Sequence, residues 1–432
     1  MAQPDLLITN TSQLLTLAGG PQRGDRLGEL SILEDGAAAI ANGEIVGVGS
    51  SAELMRRYKP HRMLDAGGHV ALPGFVDPHA HLIWAGDRAA EFEMRLSGMD
   101  YMQILAAGGG ILSTVSKTRQ ASLEQLIDLA RPRIGTMLAY GTTTAEAKTG
   151  YGLQTETELR MLRAILALDD EGPMELAPTF LGAHAIPVEY RGNVDDYVAL
   201  LCEEMLPAVK QEWRTIGGGR DLPFVDVFCE EGAFDLEQTR LLLETARDLG
   251  FPLKVHADEF KGLGGTGLAV ELGAVSADHL VHTPRQDIAA LGKSNTVAVA
   301  LPGTPFGLAE QSYTPAASLL EANAILALAT DLNPGTAWCE SMQFMIALAC
   351  RYMGLTPAQA IAAATINAAA AIGRQDRIGS LEAGKQADLI ILNVADYRHL
   401  GYRFGANLVD TVVKRGEIVI EGGREIWTSR QY

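Results

Sequence analysis

Residues 73–81 read Pro73-Gly-Phe-Val-Asp-Pro-His-Ala-His81. The Pro-Gly pair is a turn signal, Phe75 and Val76 open a short buried strand, and two histidines stand two apart at its end. Side chains i and i+2 of a strand face the same side, so His79 and His81 can offer their imidazoles to one point. Seven more short apolar runs follow, ending near Lys148, His184, Cys229, His256, His279, Ala300 and Asp331. Helical stretches separate them, among them Leu123 to Tyr140, Glu156 to Leu168, Asp195 to Trp213 and Leu236 to Leu249. Eight strands alternating with helices predict an α/β fold, a (β/α)8 TIM barrel. Five of the eight runs end in His or Asp, and in such barrels the chemistry gathers at the C-terminal ends of the strands.

The 432 residues exceed the roughly 250–300 at which one hydrophobic core stops growing, and a barrel takes about 250 of them. The excess lies at both ends. Residues 5–9, 30–33, 38–40 and 44–48 read as short strands between Gly, Asp and Asn turns, and the texture returns over 387–392, 410–414 and 418–420. The expected organisation is a small β-sandwich domain built from both termini, residues 1–65 and 374–432, around a barrel of residues 66–373.

Acidic residues outnumber basic ones, 53 to 35, for a net charge of −18. No Lys/Arg cluster supplies the basic face that a nucleic-acid binder needs. An anionic substrate would be repelled at long range, so a carboxylated one requires a local cationic clamp. Met1 to Asn10 carries no basic segment followed by a long apolar run, and no stretch approaches the ~20 apolar residues of a membrane span. Four cysteines show no CxxC spacing, so disulfides are not expected and the cytoplasm is the expected compartment.

His79 and His81, with His256, His279 and Asp331 at later strand ends, make an imidazole and carboxylate set suited to zinc or iron. Three or four such ligands leave room for a catalytic water. The Pro73–His81 segment, His256 after the fifth strand, His279 after the sixth and Asp331 after the eighth resemble the amidohydrolase superfamily, whose architecture also includes a β domain from both termini. The resemblance extends over essentially the whole chain to the imidazolonepropionase family. It is carried by Trp84-Ala-Gly-Asp-Arg-Ala-Ala-Glu-Phe-Glu-Met-Arg95, Ala107-Gly-Gly-Gly-Ile111, Lys148-Thr-Gly-Tyr-Gly-Leu153, Leu181-Gly-Ala-His184, His256-Ala-Asp-Glu-Phe260, Ser276-Ala-Asp-His279 and Asp331-Leu-Asn-Pro-Gly335.

The resemblance implies one metal ion per chain, Zn(2+) or Fe(3+), held by His79, His81, His256 and Asp331. It implies substrate contacts from Arg88, Tyr101, Tyr151, His184 and Glu259, and product contacts from Asn333, Gly335 and Thr336. His279 would sit beside the attacking water and the substrate carbonyl. The implied reaction opens the imidazolone ring of 4-imidazolone-5-propanoate, with Glu259, His279 and Asp331 catalytic, and a homodimer is the common assembly of such enzymes. Arg88 offers a planar fork matched to a carboxylate. Two stretches depart from the family pattern: the bulky Ala337-Trp-Cys-Glu340, and Pro305 with Gly307.

Three features are read otherwise. Gly108–Gly110 lacks both the P-loop ending and the GxGxxG spacing, and is expected to be a backbone loop close over the site. Lys148 ends a strand as a metal-bridging carbamylated lysine would, yet nothing else indicates a second ion. Glu230-Glu231 after the fourth strand reads as a rim or solvent feature. A heterocycle deaminase shares the same ligand core and differs by releasing ammonia; a ligand-less scaffold is disfavoured because every ligand position is filled.

Overall fold

The computed structural model describes residues 3–99 and 109–426. The chain begins with β1 Leu6–Leu15, β2 Ile32–Ala41, β3 Glu44–Ser50, β4 Arg62–Asp65 and β5 Val70–Pro73. The two strands expected over 30–33 and 38–40 are one continuous β2. Gly36 is no turn: a Cβ there would come within 2.4 Å of Leu14 Cβ, so glycine is what lets β2 lie close against β1. Val70–Pro73, expected with the barrel, pairs with β1 and β14 (Leu389–Leu392) instead, and the barrel starts only after it.

The strands β15 Val409–Lys414, β16 Glu417–Glu421 and β17 Arg424–Glu425 complete a nine-stranded sheet in the order β17-β16-β15-β14-β5-β1-β2-β3, with β4 on β1. This sheet folds over on itself. Ile45 N donates to Lys385 O at 2.8 Å and Gly416 N to Ala387 O at 3.0 Å. Leu14, Ile40 and Ile45 from one half share a core with Leu389, Ile391 and Val413 from the other, the two-layered domain expected from the termini.

Between them run β6 Phe75–Asp77, β7 Thr142–Lys148, β8 Glu175–Ala183, β9 Phe224–Cys229, β10 Leu253–Ala257, β11 Ser276–His279, β12 Val297–Ala300 and β13 Leu326–Leu328. Each is parallel to the next. The first and last strands stop short of His79 and Asp331 because the barrel closes beyond them. Ala80 bridges Leu332, Asp331 N donates to His79 O at 3.0 Å, and His81 N to Leu332 O at 2.8 Å. Pro78 has no N–H to continue a ladder, and Asp77 instead accepts from Thr330 N at 3.1 Å. Three of the four metal-ligand candidates, His79, His81 and Asp331, therefore sit on the seam.

The outer helices follow their local signals. Leu123–Ala139 starts at a Ser122/Gln125 capping box and Leu236–Asp248 at an Asp235/Gln238 one. The helix read over 195–213 runs from Val194 to Ile216 with a π turn at Leu201–Met205, just before Pro207, whose ring and missing N–H disturb the preceding turn. Among the described residues no helix is long and apolar enough to cross a membrane.

Candidate metal centre

The seam and the ends of β10 and β11 bring His79, His81, His256, His279 and Asp331 together, all buried. Ring centroids of His79 and His256 are 4.3 Å apart, those of His79 and His279 5.3 Å. Asp331 Oδ1 lies 3.6 Å from His79 Nε2 and 3.5 Å from His81 Nε2. Those separations are long for hydrogen bonds and suit donors arranged around a cation. Three candidate ligand triplets share His79 among the described residues: one with His81 and Asp331, one with His256 and His279, and one with Glu146 and Asp278 beneath them. Asp331 and His279 adopt the left-handed region, φ 53° and 80°, backbone strain of the kind found where side-chain aim matters more than comfort.

The cluster fits a metal ion. Nε2 of His79 and Nε2 of His256 are buried with no hydrogen-bond partner among the described residues, a costly arrangement unless something else satisfies them. Burial, then the Lys148 charge, holds His79 well below the usual histidine range; burial does the same to His81 and His184 and takes His279 to about 3. Such burial favours the neutral imidazole, the form that binds a metal. The far ring nitrogens meet carboxylates: His79 Nδ1 is 2.6 Å from Asp278 Oδ2, and His256 Nδ1 2.9 Å from Asp226 Oδ2. The hydrogen bond to Asp278 fixes the tautomer and the ring orientation of His79.

Beneath the histidines the barrel interior is ionic. Lys148 Nζ is 2.6 Å from Asp226 and 3.0 Å from Glu146; Lys254 Nζ is 2.7 Å from Glu146 and 2.6 Å from Pro78 O. Burial opposes the Lys148 charge, but Asp226, Glu146 and Asp278 outweigh it and hold its pKa above the ordinary value. In this arrangement the Lys148 Nζ is engaged by carboxylates of the barrel interior.

The substrate-side residues line up along the loops. His184 stacks on His81 at 4.9 Å and 17°, and its Nδ1 faces Gly150 O at 3.0 Å. Glu158 accepts from Gly150, Gly152 and Leu153 N–H groups and so pins the loop that presents Tyr151. Glu259 lies 3.6 Å from His279 Nδ1; burial, then the Asp331 and Glu230 charges, push its carboxyl well above the usual range. Arg88 is paired at 2.8 Å with Glu91, whose other oxygen accepts from Gly110 N at 2.9 Å. A Cβ at Gly335 would come within 2.3 Å of Arg88 Nη1, so that glycine admits the guanidinium. Asn333 spends its amide on its own loop, bonding Gly335 N, Thr336 N and Asp331 O. Tyr101 and Gly108 lie outside the described residues.

Glu230 corrects the rim expectation. It is buried and accepts from Glu231, Phe260 and Lys261 N–H groups, fixing the turn beside Glu259; only Glu231 faces solvent. The departure at Gly307 also has a cause, since a Cβ there would fall 1.9 Å from Thr336 O. Sequence reading missed Asp226, Asp278, Glu146, Lys254 and Thr304, whose hydroxyl bonds Asp331. Spacing carried part of the signal: Glu146 and Lys254 each stand two before a recognised strand-end residue, and so share its face.

The sequence signature of the amidohydrolase family matches residues 70–419. The chain belongs to the amidohydrolase family. Within that family it is 53% identical to the imidazolonepropionase of Herpetosiphon aurantiacus over 97% of this chain and 98% of the relative. Identity to the imidazolonepropionase of Symbiobacterium thermophilum is 48%, over 98% and 99%. Among solved structures, a zinc-bound adenosine deaminase from Xanthomonas campestris superposes with TM-score 0.72 at 21% identity, over 99% of this chain and 95% of that one. Guanine deaminase of Escherichia coli gives 0.73 at 17%, over 96% and 99%. At those identities this amidohydrolase shares the fold with the deaminases, while its sequence groups with the imidazolonepropionases.

Proposed function

We propose that the chain hydrolyses the ring C–N amide bond of 4-imidazolone-5-propanoate to N-formimidoyl-L-glutamate, a step of L-histidine degradation. One observation carries the reading: 53% identity to an imidazolonepropionase over nearly the full length of both chains. The arrangement around His79 supports it. His79, His81, His256 and Asp331 would hold one metal ion, zinc or iron. Such an ion acidifies a water toward neutral pH and polarises a carbonyl.

The remaining work falls to this chain's side chains. Asp331 receives the proton of the attacking water. His279 stands where the ring carbonyl gains negative charge and donates to it. Glu259, protonated by its buried setting, delivers a proton to the leaving nitrogen. Arg88 keeps the Nη1 side of its guanidinium free of Glu91 and receives the propionate, with Tyr101 adding a hydroxyl. Tyr151 and His184 flank the ring, and Asn333, Gly335 and Thr336 form the wall facing the opened product. The reading includes a homodimer in the cytoplasm, in keeping with four free cysteines.

The test is turnover of freshly generated 4-imidazolone-5-propanoate by the purified protein, with elemental analysis of the same sample. We expect N-formimidoyl-L-glutamate without ammonia, and one ion per chain. Ammonia release from a purine or pyrimidine substrate, with no ring opening, would make the chain a deaminase. Two ions, both required for activity, would replace the mononuclear scheme.

A further inference from the structure

The proposed reaction leaves Arg133 unexplained. It lies on the helix Leu123–Ala139, is buried, and forms no ion pair with a carboxylate among the described residues. Its guanidinium carbon rests 3.4 Å from the centre of the Trp84 ring and 5.5 Å from that of Trp338. The two indoles meet edge to face, 5.1 Å apart at 88°. Nη1 donates to Leu82 O at 2.8 Å and to Trp84 O at 3.2 Å. Those carbonyls belong to the irregular stretch directly after His81, where no backbone N–H reaches them among the described residues. A buried carbonyl needs a partner, and here a single cation serves two.

The two tryptophans stand on different loops. Trp84 lies between His81 and Arg88; Trp338 follows Asn333, Gly335 and Thr336 and belongs to the bulky stretch that departs from the family pattern. Arg88 itself lies over Gly335. Whatever fixes these loops to each other fixes the distance between the ligands on the seam and the cation meant for the substrate's carboxylate.

We propose that Arg133, Trp84 and Trp338 form a tie that holds the His81–Arg88 loop against the Asp331–Trp338 loop, with Arg133 and Trp338 as positioning residues for Arg88. The inference rests on the reading of Arg88 as the carboxylate receiver. Trp338 is half exposed, so its replacement leaves the core intact, and a phenyl ring can still lie beside the guanidinium. The metal ligands keep their own hydrogen bonds when the tie is cut, so its loss acts on binding of the tail.

The experiment compares Trp338→Ala, Trp338→Phe, Arg88→Met and the Arg88→Met/Trp338→Ala double variant of the metal-loaded protein. Steady-state kinetics are joined by amide hydrogen exchange over residues 82–88 and 333–338. Trp338→Ala should raise KM about 5- to 30-fold, the size of one partly desolvated cation–aromatic contact, with kcat within about twofold. Trp338→Phe should restore most of the loss. In the Arg88→Met background the further substitution should add almost nothing, because the residue being positioned is gone. Exchange should accelerate in both loops. A fall in kcat at constant KM, failure of phenylalanine to rescue, or effects that multiply in the double variant would each overturn the proposal. If Arg88→Met leaves KM unchanged, the carboxylate reading fails; the tie is then decided by exchange, and unaltered protection in the 82–88 loop of Trp338→Ala overturns it.

Discussion

Glu259 shows how one residue acquires a task from its surroundings. A carboxyl in water is ionised at neutral pH, but this one is buried beside Asp331 and Glu230, and its pKa stands well above the usual range. That setting favours the protonated form. Glu259→Gln preserves the shape and removes the proton donor, so kcat should fall about 10²–10⁴-fold with metal content unchanged by elemental analysis. Near-normal kcat would reduce Glu259 to a positioning residue. At this scale the sequence was legible where chemistry coincides with strand ends: His79, His81, His256, His279 and Asp331 stand out because few residues of those types occur in such places. Asp226 and Asp278 did not stand out. Their partners lie on other strands, and nothing in the local pattern marks a carboxylate that meets a histidine only after the barrel has formed.

Elements carry the site through their contacts with each other. The short helix Gly303–Leu308 holds Asp331 through the Thr304 hydroxyl and abuts the 333–337 loop at Gly307. Gly307→Ala would drive a methyl group into Thr336 O, and overpacking of this kind costs about 1–3 kcal/mol. Chemical denaturation should register that loss, and KM should rise as the loop retreats. Gly405, with nothing within 4 Å of an added Cβ, is the control, and its alanine variant should unfold like the parent. Equal stability of the two variants would mean that the loop yields freely. Helices were readable from their amphipathic stretches, and the starts read at Leu123 and Leu236 fall directly after the capping residues Ser122 and Asp235. β2 was misread as two strands because Gly36 signals a turn locally and a close strand approach in the folded domain. Val70–Pro73 escaped for a related reason: four buried residues can join either sheet, and only the pairing with β1 and β14 decides.

For the whole molecule, the buried histidines set the acid limit. Burial depresses His79, His81 and His184 well below the ordinary value and takes His279 to about 3. Below the unfolded value, near pH 6.5, the unfolded chain takes up protons that the folded one refuses. Stability therefore rises with pH through this window and is lost as pH falls from about 6.5 toward 3, by up to about 1.4 kcal/mol per pH unit for each such histidine. Metal loading should steepen the loss, since protons and the ion compete for the same nitrogens. Unfolding midpoints measured at fixed metal concentration should drop between pH 7 and 5; a flat profile would show that the rings titrate normally. The barrel and the two-ended β domain were legible at this scale, because alternation of strand and helix persists over hundreds of residues while errors at single elements average out.

The seam of the barrel has a consequence for biogenesis. Asp77 and Thr330, which join across it, are 253 residues apart in the chain, and His79 faces Asp331 over the same gap. His79, His81 and His256 are all synthesised before Asp331, so the nascent chain carries an incomplete set of the proposed ligands until the last barrel strand has been made. Closing so long a loop costs little more than closing one half its length, and the late step is governed by arrival of the last strand. The proposed ion site is thus completed only once the first and last strands of the barrel have met.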